Sequence, residues 1–169
     1  MATEEQTAGS GSIYVYGPTY RIRVGQRLVI ANRQVTKLSL KLRKVGSPTG
    51  DITLTVRRVS NDSIILSKVW GNITGLGTGY SWPEVTFDTP AVVNEEVRIL
   101  AEFSGGDADN RMELQTNIGD IKPDEYLTHY RDSIWQALAT QESTYIYTYA
   151  ELAVAAGGGP AALVAAGII

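Results

Sequence analysis

Oxygen-bearing side chains that could bind a metal ion are concentrated in one glycine-rich loop of this sequence. Asp107, Asp109 and Asn110 lie within four consecutive positions. Carboxylate and amide oxygens close together are the ligands that Ca²⁺ prefers. The run lacks the spaced ligand series and the terminal glutamate of a helix-loop-helix calcium loop, and Asp and Asn in turns also hydrogen bond to their own backbone. The pattern therefore favours a solvated turn, with calcium as the one cofactor that stays open.

A second candidate site consists of aromatic side chains in and beside a glycine-rich segment. Trp70, Tyr80 and Trp82 border the run from Gly71 to Gly79. Aromatic faces can stack on the apolar face of a pyranose ring, so these residues are candidates for glycan binding. Aromatic side chains also supply much of the buried area of cores and interfaces. The sequence favours packing for these three residues and keeps glycan binding as the alternative.

The residues needed for a catalytic centre do not form a recognisable group. His129 is the only histidine and there is no cysteine. A multi-histidine metal site and a cysteine nucleophile are thereby excluded, and no Ser-His-Asp grouping can be inferred. Paired carboxylates for glycan cleavage would have to be brought together in a cleft, which spacing in the sequence does not establish. The sequence predicts a protein that is not an enzyme.

Composition excludes one class of partner and leaves the cellular compartment open. The formal charge of -3 provides no basic field for nucleic acid. The first six residues, M-A-T-E-E-Q, lack the basic and apolar regions of a signal peptide, so we expect either no signal peptide or one already removed.

Asn61 and Asn72 each begin an Asn-X-Ser/Thr sequon on a predicted loop, which matters only where glycosylation enzymes act.

The elements that position these loops are predicted to be short β-strands. From residue 13 onward, apolar and polar residues alternate in runs separated by Gly, Pro, Asn and Asp turns. The clearest example is residues 35–59, where two alternating runs flank a Gly-Ser-Pro-Thr-Gly turn and predict an antiparallel hairpin. Its inward-facing residues are predicted to be Leu38, Leu40, Leu42, Ile52, Leu54 and Val56. The whole pattern predicts an all-β chain folded as an antiparallel β-sandwich of the jelly-roll type.

The two ends of the chain differ from this body, so we divide the sequence into residues 1–12, 13–149 and 150–169. Residues 1–12 are small and polar, which predicts an extended N-terminal arm that becomes ordered by packing on neighbouring subunits. Residues 150–169 form an apolar C-terminal tail with a single charge, Glu151. The tail has about the length of a membrane span, but a Gly-Gly-Gly-Pro break and its Ala/Gly content favour burial in protein over membrane spanning.

An exposed apolar tail would promote aggregation, so we expect it to be buried. It can pack into its own sandwich or into a groove or sheet edge of a neighbouring subunit, and the sequence favours the neighbour. The residues predicted to make this assembly contact are Leu152, Val154, Leu163, Val164, Ile168 and Ile169.

Three stretches of the body carry a resemblance to known proteins. They are L-R-K-V-G-S-P-T-G at residues 42–50, W-x-x-V-x-F-x-T-P at residues 82–90, and N-E-E-V-R-I at residues 94–99. This set resembles jelly-roll, carbohydrate-binding-like modules of viral structural proteins and of extracellular filaments and tubes, often from thermophilic microbes. The resemblance covers residues 14–149 and implies a scaffold that serves as a building block, with sugar binding in some members only. It assigns a role to no individual residue.

Together these features predict a self-assembling structural protein. We expect a subunit of an extracellular filament, tube or surface appendage, or of a virion shell, whose partner is another copy of the same chain. The alternative is a monomeric carbohydrate-binding module that uses surface aromatic residues. Neither nucleic acid nor a membrane is expected as a partner.

Overall fold

The computed structural model describes residues 1–153, and their regular structure is almost entirely β-strand. A single turn of 3-10 helix at Ile73–Gly75 is the exception among these residues. The strands are β1 (Ala2–Gln6), β2 (Gly11–Val15), β3 (Arg21–Leu40), β4 (Leu42–Val45), β5 (Asp51–Arg58), β6 (Ile64–Asn72), β7 (Glu84–Glu102), β8 (Arg111–Ile118), β9 (Tyr126–Arg131), β10 (Ile134–Leu138), β11 (Gln141–Ser143) and β12 (Tyr145–Glu151). The prediction of an all-β chain is confirmed.

The strands form two antiparallel sheets that enclose one core. Within the described residues the larger sheet has eight strands in the order β1-β12-β3-β7-β5-β6, with β9 paired to β3 and β10 paired to β9. The smaller sheet has four strands in the order β11-β8-β2, with β4 also paired to β8. Apolar residues of both sheets face each other in a continuous buried cluster. This arrangement confirms the antiparallel β-sandwich.

Two long strands, β3 and β7, form the centre of the larger sheet. β3 has 20 residues and β7 has 19, and they pair over most of their length. Their register shifts between Ile30 and Arg33 and again between Val35 and Lys37. Such bulges bend a strand and increase its twist. Because β3 bends, its first half can pair with β9 and its second half with β12.

The predicted hairpin over residues 35–59 is correct in its strands and wrong in its pairing. All six of its predicted inward residues are fully buried, at 0% exposure. However, the chain leaves the larger sheet after Leu40, so that β4 pairs with β8 in the smaller sheet, while β5 pairs with β6 and β7. The alternation of apolar residues fixes which face is buried, whereas the pairing partner depends on contacts distant in the sequence.

Residues 1–12, which the composition predicts to be an arm packed on neighbouring subunits, lie in the two sheets of their own chain. β1 pairs with β12 along its whole length, and β2 begins at Gly11 and pairs with β8. Glu4 accepts a hydrogen bond from Lys122, and Gln6 is 4% exposed. The open edge of β12 supplies the ladder partner that orders these polar residues. Composition alone does not reveal such a partner.

Candidate assembly and binding surfaces

A groove lies where the edges of the two sheets meet, between β2 of the smaller sheet and β10 of the larger one. Its volume is about 230 Å³. We call it the β2–β10 groove, and its lining residues are Ser12, Ile13, Tyr14, Arg21, Leu138 and Gln141. β2, β10 and β11 each contribute to the lining, together with the first residue of β3. The groove is therefore a shallow depression between the edge strands β2 and β10.

The β10 side of this groove is an unprotected strand edge. Within residues 1–153, β10 pairs with β9 alone, which leaves its other side without a ladder partner. Its sequence, I-W-Q-A-L, has no charge, and Ile134 and Leu138 are 60% and 36% exposed. Natural edge strands are usually protected by charged side chains, proline or bulges. An edge without these features is a template for pairing with another strand.

The β2 side of the groove is partly protected. Arg21 Nη1 donates a hydrogen bond of 2.8 Å to the carbonyl oxygen of Tyr14, which satisfies one acceptor of the strand. Burial is the main reason that the pKa of Arg21 lies below its usual value, with the nearby charge of Arg131 acting in the same direction. Tyr14 is nevertheless 43% exposed. Each side of the groove therefore carries an exposed aromatic or apolar side chain, Tyr14 on β2 and Leu138 on β10, beside the polar Ser12, Arg21 and Gln141.

The tail residues predicted to mediate assembly fall mainly outside the described part of the chain. Leu152 is half-buried directly after β12, whose last residue, Glu151, pairs with Arg33 of β3. The other predicted assembly residues lie outside residues 1–153, namely Val154, Leu163, Val164, Ile168 and Ile169. Across residues 1–153, no helix is long and apolar enough to cross a membrane.

The structure brings two of the three predicted glycan-binding aromatic residues together on the smaller sheet. Tyr80 and Trp82 flank Ser81, whose backbone pairs with Leu42 through two hydrogen bonds of 2.9 Å. The Arg43 guanidinium lies over the Tyr80 ring at 4.6 Å, and the Lys41 ammonium lies over the Trp82 ring at 5.6 Å. We call these two aromatic residues and two cations the aromatic surface. Trp70 is not part of it.

Trp70 lies on β6 and packs against the hydrophobic core. Its ring would lie 3.5 Å from a Cβ atom at Gly75, so it also covers the 3-10 turn. This position matches the packing role that the sequence analysis favoured for the aromatic residues. Glycan binding at Trp70 stays a prediction.

The aromatic surface continues to a buried carboxylate that the sequence analysis did not single out. Glu113 on β8 pairs with Tyr14 on one side and with Arg43 on the other, and it is only 1% exposed. Arg43 donates to one carboxylate oxygen at 2.6 and 2.8 Å, and Arg111 donates to the other at 2.7 and 2.9 Å. Alternation along β8 predicts an outward-facing, solvated Glu113. The two arginines instead cover it. The guanidinium of Arg43 lies over the Tyr80 ring, and that of Arg111 lies over the Tyr14 ring.

The predicted calcium loop uses its oxygens within the protein. Asp107 Oδ1 accepts backbone hydrogen bonds from Asp109 and Asn110, both at 2.9 Å. These bonds, the one from Asp109 first, hold the pKa of the Asp107 carboxyl below its usual value. Asn110 Oδ1 accepts from the backbone of Ser47 at 2.8 Å and so ties this loop to the next. No group of three or more acidic, His or Cys residues in the described chain is placed to hold a metal ion. Calcium binding stays a prediction.

The two sequon asparagines lie on the surface and stabilise turns. Asn61 Oδ1 accepts from the backbone N–H of Ser63, and Asn72 Oδ1 accepts from that of Thr74, both at 3.0 Å. Both asparagines are exposed. Glycosylation at these positions stays a prediction.

His129 predicts a loss of stability on acidification. It is 3% exposed, and burial together with the charges of Arg21 and Arg131 lowers its pKa to about 4. Because this is below the unfolded value of about 6.5, the unfolded state binds the proton first as the pH falls. The contribution of His129 is therefore complete above pH 6.5 and is lost as the pH falls toward 4. We expect about 2 kcal/mol of the free energy of unfolding to be lost between pH 7 and pH 5 on this account.

Urea denaturation of the wild type and of His129→Gln at both pH values measures this effect. Burial raises the pKa of Glu125, which acts in the opposite sense, since its contribution is lost as the pH rises. Both proteins share Glu125, so it cancels in the comparison. Equal losses of stability in the two proteins would contradict the assignment to His129. An NMR titration of the only histidine gives its pKa directly.

Comparisons with known proteins leave the family of this chain open. No protein-family model matches it. No curated protein matches it. Among solved structures, one match is titled "Structure of infectious bursal disease virus Gx strain", with 10% sequence identity and a TM-score of 0.28 over 97% of this chain. The chain spans 44% of the length of that viral chain. At this TM-score and identity the similarity is weak.

Proposed function

We propose that this chain is a self-assembling structural protein, the repeating subunit of a filament, tube or virion shell. The observation that supports this function is the composition of residues 152–169, which contain no charged residue and follow directly from β12. An exposed apolar segment of this kind promotes association unless a protein surface covers it. Another copy of the same chain can provide that covering surface, because it is present in every solution of this protein.

The contact proposed here joins two different surfaces. The tail of one subunit binds a region elsewhere on the next, which is a heterologous contact. Contacts of this type produce rings when the rotation between subunits closes and filaments when it does not. Burial of Leu163, Val164 and the two final isoleucines would contribute several kcal/mol at about 25 cal/mol per Å². This is sufficient to hold subunits together when it is repeated along an assembly.

Deleting residues 152–169 should abolish assembly and leave a folded monomer. β12 ends at Glu151, so the deletion leaves intact every strand that the structure describes in residues 1–153. Size exclusion with light scattering and negative-stain microscopy should show large assemblies for the full chain and monomers for the truncated chain. Circular dichroism and the melting temperature should be similar for the two. A truncated chain that still assembles, or a full chain that remains monomeric, would contradict the proposal.

A matched control separates apolar contact from chain length. A full-length variant in which Leu163, Val164, Ile168 and Ile169 are all replaced by serine keeps the length of the tail. We expect it to behave as the truncated chain does, since it lacks the apolar side chains that would be buried.

A second candidate function is carbohydrate binding, which the aromatic surface favours. Tyr80 and Trp82 lie on the same side of the smaller sheet, and Tyr80 borders a further groove of about 300 Å³ with Ser12 and Gln115. An aromatic ring beside polar groups suits a sugar, whose rings have an apolar face and hydroxyl edges. This candidate predicts that the full chain elutes as a monomer, so the size-exclusion experiment also distinguishes the two functions.

A further inference from the structure

We infer that the β2–β10 groove receives residues 161–169 of a second copy, which add to the free edge of β10 as an extra strand. This inference rests on the proposed function and adds to it the acceptor surface. Four steps support it: the open edge of β10, the match in side-chain chemistry, the length of the donor segment, and the position at which it leaves the sandwich.

The edge of β10 is the least protected edge of the larger sheet. At one end of that sheet, β1 carries Glu4 and Glu5. At the other end, β6 carries Lys68, which forms an ion pair of 2.6 Å with Asp88. β10 has no charged residue and no proline. Since charges at an edge oppose pairing with another strand, β10 is the edge at which addition meets least resistance.

The side chains around the β10 edge match an uncharged apolar strand. Ile134 and Leu138 are four positions apart on β10 and therefore point to the same side of the strand. Both are exposed, as is Tyr14 on the opposite side of the groove. Residues 161–169 read A-A-L-V-A-A-G-I-I and contain only apolar residues and glycine. The added strand would supply backbone hydrogen bonds along the edge and apolar contacts across the groove.

The length of the donor segment is sufficient to cover the edge. Nine extended residues span about 30 Å at about 3.3 Å per residue, whereas the five residues of β10 span about 17 Å. The Gly157-Gly158-Gly159-Pro160 run precedes the donor segment and provides a spacer between it and β12. The donor can therefore align with the whole of β10.

The position of β12 favours a donor from another copy. β12 lies on the same side of β3 as β9, and it ends opposite Arg33, whereas β9 begins opposite Arg27. A strand that continued β12 in register would therefore meet β9 at Arg27 after about six residues, before the donor segment begins. Residues 161–169 therefore have no free position on this side of their own β3, and the edge of a neighbouring subunit can receive them.

The absence of cysteine from this chain allows a direct test by disulfide crosslinking. One preparation carries Gln136→Cys in the middle of β10, and a second carries Val164→Cys in the donor segment. Residues directly opposite each other on paired antiparallel strands have Cα atoms about 4.5–5.5 Å apart, within the 4.4–6.8 Å that a disulfide needs. We expect the mixed and oxidised preparations to form a covalent heterodimer, which mass spectrometry identifies. The matched control replaces Gln136→Cys with Ser67→Cys on the β6 edge and should give no heterodimer.

Three outcomes would overturn the inference. Crosslinking of Val164→Cys to the β6 control as readily as to β10 would show that the contact is not specific. Dimers of Gln136→Cys alone would show that two β10 edges pair with each other. A chain that carries both cysteines and crosslinks only within itself would show that the tail docks on its own subunit.

A second variant separates this inference from the proposed function. Leu138→Lys places a charge on the β10 edge and in the groove, and we expect it to raise the concentration needed for assembly at least about tenfold, since each 1.4 kcal/mol changes an equilibrium constant tenfold. Val69→Lys on β6 is the matched control and should assemble as the wild type does. If deletion of residues 152–169 abolishes assembly and Leu138→Lys does not change it, the acceptor surface is elsewhere and the proposed function stands. If neither change affects assembly, both are wrong.

Discussion

Replacing Gly25 with alanine should destabilise the domain by about 3 kcal/mol, the upper end of what extra atoms forced into a packed structure usually cost. Gly25 lies in the middle of β3 and pairs with Leu100 of β7 on one side and with Thr128 of β9 on the other. A Cβ atom at this position would lie 1.9 Å from the carbonyl oxygen of Ile99 and 2.9 Å from the Leu100 Cα atom. Both contacts are with backbone, which cannot move aside as a side chain can. The two central strands would have to separate.

The measurement is urea or thermal unfolding of Gly25→Ala beside the wild type. For a domain of this size, about 3 kcal/mol lowers the melting temperature by about 10 °C. Gly79→Ala is the matched control, because a Cβ atom there would meet nothing within 4 Å. We expect that control to be neutral or slightly stabilising, since alanine restricts the unfolded chain. A Gly25→Ala protein as stable as Gly79→Ala would show that β3 and β7 do not approach each other so closely.

The faces of the strands could be predicted from the sequence because burial follows a period of two. The alternation of Leu38, Leu40 and Leu42 correctly places all three in the core, although the chain changes sheets between the last two. Which strands pair could not be predicted in the same way. The 20-residue length of β3 was also hidden, since its bulges at Ile30 and Val35 interrupt the alternation that would mark one strand.

The β9–β10 hairpin shows a similar limit of sequence patterns. Residues 130–140 are ambiguous in sequence because they combine aromatic, charged and small residues without a clear period. The turn of the hairpin is formed by Asp132 and Ser133, both with positive φ, at 52° and 64°. Two successive residues of this kind form the type of tight turn that hairpins favour. Without Gly or Asn in that turn, its usual sequence signal is missing, and the unprotected edge of β10 could not be foreseen.

The burial of Glu113 could not be predicted from the sequence. Its position between Met112 and Leu114 on β8 predicts a solvated carboxylate on the outer face, and such residues are common on any strand. The burial of Glu113 arises from Arg43 on β4 and Arg111 on β8, which reach it from two sides. Arg111 is two positions away on the same strand, but Arg43 comes from a strand 70 positions earlier, and a single Arg-x-Glu spacing gives no signal that the carboxylate is buried.

We expect Glu113→Ala to lower the free energy of unfolding by about 3 kcal/mol, because removing one partner leaves buried charges uncompensated. The carboxylate accepts four N–H groups from the two arginines, and Arg111 has a side-chain exposure of only 18%. Without Glu113, no carboxylate would separate the positive charges of Arg43 and Arg111, whose guanidinium groups lie over Tyr80 and Tyr14. The loss therefore combines missing hydrogen bonds with repulsion between the arginines.

Urea denaturation at two salt concentrations tests both parts of this expectation. Repulsion between Arg43 and Arg111 is screened by salt, so Glu113→Ala should regain part of its stability as ionic strength rises. Glu113→Gln keeps the shape and one acceptor oxygen, and it should lose less than Glu113→Ala does. The control is Glu84→Ala, which removes an exposed partner of Lys37 and should cost no more than about 1 kcal/mol. If Glu113→Ala costs no more than this control, the two arginines do not depend on Glu113, and the smaller sheet is held by its apolar face alone.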